Sequence, residues 1–91
     1  MDTHKNGFLK RADAYIALAN EQLSPQTTQG EVSASITYAA SRFNSWMAAS
    51  SMDSAWELKD AKEEIIEYFL KEYRLALEEN LNDHIENFDF K

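Results

Sequence analysis

The chain has 91 residues, of which 44% are apolar and 27% charged, with a net charge of −7. That length holds one domain, and two glycines with one proline are too few for a turn-rich all-β fold, so long helices are expected. The absence of cysteine excludes disulfides, thiolate nucleophiles and cysteine metal sites, and the acidic balance argues against a nucleic-acid surface.

The opening segment, Met1 to Gly7, is polar and carries both signs of charge, and no apolar run follows it, so a secretory signal is not expected. The first helix is predicted over about residues 6–22. Phe8, Ala12, Tyr15, Ile16, Ala19 and Leu23 recur at steps of three and four, the stripe of a core-facing helix. Asn6 is its expected N-cap. Ser24-Pro25 ends it, because the residue before proline avoids the helical region.

Thr28-Gln29-Gly30-Glu31 reads as a capping box, which predicts a second helix over residues 29–50. Its apolar stripe is Val32, Ile36, Ala39, Phe43, Trp46 and Met47. Between Val32 and Met52 the only charged residue is Arg42. That stretch is long enough to span a bilayer, but its serines, threonine and asparagine make it too polar, so neither membrane insertion nor a membrane partner is expected. A cytoplasmic protein fits the pattern best.

Ser54-Ala55-Trp56-Glu57 is a second capping box, and the third helix is predicted over residues 55–80 with a helical or docked tail over 81–88. Ile65, Phe69, Tyr73, Leu77, Leu81 and Ile85 follow one another at spacing four, which sweeps about 200° around a straight helix. One flat partner cannot cover such an arc. Either the helix bends or breaks near Asn80, or its C-terminal third packs on a different neighbour from its start. Short linkers between three helices predict an all-α antiparallel three-helix bundle.

The second helix is the anomaly. Opposite its apolar stripe lie Ala34, Ser41 and Ala48, seven residues apart, so neither face carries the charge expected of a solvated helix. Ala61, Tyr68 and Leu75 form a heptad-spaced edge on the third helix. Either the tail after Asn80 folds back over the second helix, or these residues and Arg42 are the interface of a homodimer, the commonest closed assembly; the homodimer is the expectation. Bare Ala/Ser faces also tolerate water, so the alternative is a solvated back face. Arg42, if covered, requires a carboxylate; the second half of the chain has twelve acids to supply one. Its alternative is a head that reaches solvent past Tyr38.

Motifs that carry chemistry are few. Glu79, Asp83 and His84 are the best metal candidates, but no Glu-x-x-His pattern accompanies them, and an acidic run is more often a solvated face. No nucleophile elbow and no glycine-rich phosphate loop occurs. Asn20, Arg42 and Asn44, with Glu21 and Tyr38, are candidates for a small polar pocket between the first two helices; interhelical hydrogen bonding is the plainer reading. No cofactor or metal is expected. Three roles remain open: a non-enzymatic self-associating module that also binds another protein, a small-ligand or metal-binding protein, and an acidic decoy for a basic partner.

Arg11-Ala12-Asp13-Ala14, Ala19-Asn20-Glu21-Gln22, Val32-Ser33-Ala34-Ser35, Tyr38-Ala39-Ala40, Arg42-Phe43-Asn44, Glu67-Tyr68-Phe69 and the run from Leu77 to Asp89 resemble a small bacterial family, domain of unknown function 3144. The resemblance covers most of the chain. It implies a helical bacterial protein and no activity, substrate or catalytic residue.

Overall fold

Breaker residues place the helix boundaries. The computed structural model describes residues 3–89, and the side chains of residues 7–89. Three helices follow in order: α1 (Thr3–Glu21), α2 (Gln29–Ser50) and α3 (Ala55–Glu86). Helix α1 opens at Thr3, so Asn6 lies inside its first turn rather than at its cap.

The α1–α2 connection is closed by one side chain. Ser24 and Thr27 exchange backbone hydrogen bonds at 3.3 and 3.2 Å. The Ser24 Oγ accepts from the backbone N–H groups of Gln26 and Thr27, both at 3.1 Å. Pro25 fits between them because its fixed φ suits the second position of a turn and no donor is needed there. The capping box at the start of α2 forms both arms: Thr28 N–H donates to Glu31 Oε1 at 2.9 Å, and Glu31 N–H donates to Thr28 Oγ1 at 3.1 Å. At the start of α3, Ser54 Oγ accepts from Glu57 N–H at 3.1 Å.

Helix α3 runs through Asn80 without a break. Asn80 stays helical because its side-chain amide donates to the carbonyl of Ala76 at 2.8 Å, within the helix's own backbone. Asn87 ends the helix, donating its backbone N–H to Asp83 O at 3.0 Å. Of the two arrangements the spacing allowed, the break near Asn80 is thus excluded.

The chain divides into two compact units, Met1–Trp46 and Met47–Lys91, with the division inside α2. In the first unit the buried side chains are Ala19 and Val32, at 9% and 6% exposure, one on each side of the connection. The expected core stripes are covered at their small members only. Ala12 is half-buried, whereas Phe8, Tyr15, Ile16, Ile36, Phe43 and Trp46 stay exposed. A pair of helices offers each member one neighbour, so a wide apolar stripe keeps its flanks in water.

In the second unit the half-buried residues are Ala48, Met52, Leu58, Ala61, Ile65 and Phe69. The α3 members recur at steps of three and four and define one covered face. From Leu70 onward every described residue of α3 is exposed. Ile65 and Phe69, the first two residues of the spacing-four series, are therefore covered, and Tyr73, Leu77, Leu81 and Ile85 are not. The cause is in the sequence. The covered face continues as Glu72, Ala76, Glu79 and Asp83, which is too acidic to be packed.

Candidate functional site

The described apolar surface on α2 is an open groove lined by Ala34, Ser35, Tyr38, Ala39, Arg42, Phe43 and Trp46. These residues all lie in the first unit. The phenylalanine and tryptophan rings stand 6.1 Å apart, tilted by 36°. The groove's one cation is Arg42. Its guanidinium carbon lies 5.0 Å from the centre of the Tyr38 ring, and its Nη2 lies 3.4 Å from the tyrosine hydroxyl. Arg42 is exposed and forms a cation–π contact within its own helix, because Tyr38 is one turn away on the same face.

Four hydroxyls of α2, and that of Ser51 just beyond it, bond the helix's own carbonyls. Thr37 donates to Ser33 O at 3.0 Å, Ser41 to Tyr38 O at 2.8 Å and Ser45 to Arg42 O at 2.9 Å. Ser50 and Ser51 donate to Met47 O and Ala48 O at 3.0 and 2.7 Å. A hydroxyl that bonds its own helix can be covered by protein at little desolvation cost. A charge-poor helix of this kind is therefore as coverable on its polar side as on its apolar side.

The remaining candidates are placed as follows. Ala34 and Ser41 are exposed, and Ala48 is half-buried. Exposure does not single out the small-residue face, since most of α2 shares it. Ala61 belongs to the covered face of α3, while Tyr68 and Leu75 are exposed, with the Tyr68 ring edge-on to Phe69 at 5.1 Å. The heptad-spaced edge is thus divided between covered and uncovered positions.

The polar pocket does not form. Arg42 and Asn44 are two residues apart on one helix, so they point about 160° away from each other. Tyr38 and Arg42 line the groove; Asn20, Glu21 and Asn44 do not. Asn44 is half-buried on the other side of α2 and Asn20 is exposed. The C-terminal acids do not converge either. Among the described residues no group of three His, Asp or Glu side chains could hold a metal ion, and Asp83 Oδ1 accepts from Asn87 Nδ2 at 3.1 Å as part of the helix cap. The side chain of His4 lies outside those described.

No described helix is long and apolar enough to cross a membrane. Three helices, with an open aromatic groove on α2, define a small all-α protein. The chain belongs to the family described as protein of unknown function (DUF3144), which matches residues 8–85. It is similar to the solved structure titled "NMR structure of the protein NB7890A from Shewanella sp", with 37% sequence identity over 90% of this chain and 86% of that one, and a TM-score of 0.80. A search of curated proteins finds no match.

The aromatic lining is the feature that sequence reading missed. Phe43 and Trp46 were assigned to the core stripe, and their exposure leaves them as groove walls. The available signal was the Tyr38/Arg42 pair at spacing four beside them.

Proposed function

We propose that this chain is a non-enzymatic bacterial helical module that works by self-association in the cytosol, closing its core as an antiparallel bundle only when paired, and offers the assembled surface to another protein. One observation carries the reading: the large apolar side chains are in water. Phe43 and Trp46 on α2 are each 63% exposed, and so is Leu70 on α3. Side chains of this size are the ones whose removal from water drives association.

The internally bonded hydroxyls of Thr37, Ser41 and Ser45 support the same reading, because these three donors keep their partners when the helix is covered. A ligand-binding role has less support. The groove is open, and it lacks the convergent polar groups by which a small-molecule pocket fixes orientation.

Static light scattering across a dilution series tests the proposal. The expected result is a species of twice the 10.5 kDa chain mass at micromolar concentration. A species of single-chain mass at several hundred micromolar would overturn it. Metal analysis and a thermal-shift screen address the ligand alternative.

A further inference from the structure

We draw no further inference here: the strongest candidate, the open aromatic groove of α2 walled by Phe43 and Trp46 with Arg42 beside them, is an apolar face for which nothing in the structure shows what covers it.

Discussion

The Arg42 guanidinium is stacked on the Tyr38 ring, with its carbon 5.0 Å from the ring centre. The lone cation of α2 is thus held by an aromatic face one turn away on its own helix, with its charge still in water. Arg42→Met is expected to shift stability by less than about 1 kcal/mol, the scale of an exposed cation–π contact. A buried ion pair would instead cost about 3–5 kcal/mol on losing one member. Thermal melts of the variant and parent decide between these values.

The two arms of the Thr28–Glu31 box satisfy two donors at the start of α2. Thr28→Ala removes the arm to Glu31 N–H, and a loss of about 1 kcal/mol is expected in urea unfolding. Glu31→Gln keeps an acceptor at the same place and should lose less. Equal losses for the two would show that the carboxylate charge, acting on the helix dipole, matters more than the hydrogen bonds.

Ser24 accepts two backbone donors in the only proline-containing turn. Ser24→Ala leaves both N–H groups to water, because the turn is exposed. The expected cost is about 0.5–1.5 kcal/mol, the net worth of ordinary hydrogen bonds, with no change in helix content by circular dichroism.

Trp46 forms one wall of the α2 groove and is exposed, as is the chain's other tryptophan, Trp56. With Trp56→Phe, the emission of Trp46 reports on the groove alone. Concentrating this variant is expected to shift the emission to the blue, because association takes the indole out of water. Emission that stays at the solvated wavelength while light scattering records a dimer would place the groove outside the interface.

Leu58 and Leu77 lie on different faces of α3, the first half-buried and the second exposed. Leu58→Glu is expected to lower the melting temperature of the chain at every concentration. Leu77→Glu is expected to abolish association, and its effect on the melt should grow with protein concentration, because mass action links binding to stability. Concentration-independent melts for both would remove Leu77 from any interface.

The helix boundaries were legible in the residues themselves. Thr28–Glu31, Ser54–Glu57 and Ser24-Pro25 act on neighbours in the chain, so their effect does not depend on what packs nearby. The apolar series from Ile65 to Ile85 likewise announced that one partner could not cover all of α3, since that follows from the helical period alone. Which of these residues meet protein and which meet water was not legible. Phe43, Trp46 and Tyr73 carry the same apolar signature as Val32 and Ile65, and periodicity assigns a face without saying whether a neighbour is present. The cover over Ala19 and Val32 and the exposure of Phe43, Trp46 and Tyr73 were decided by the tertiary structure. Burial depends on atoms from distant parts of the chain, and local sequence patterns contain no information about where those atoms fall.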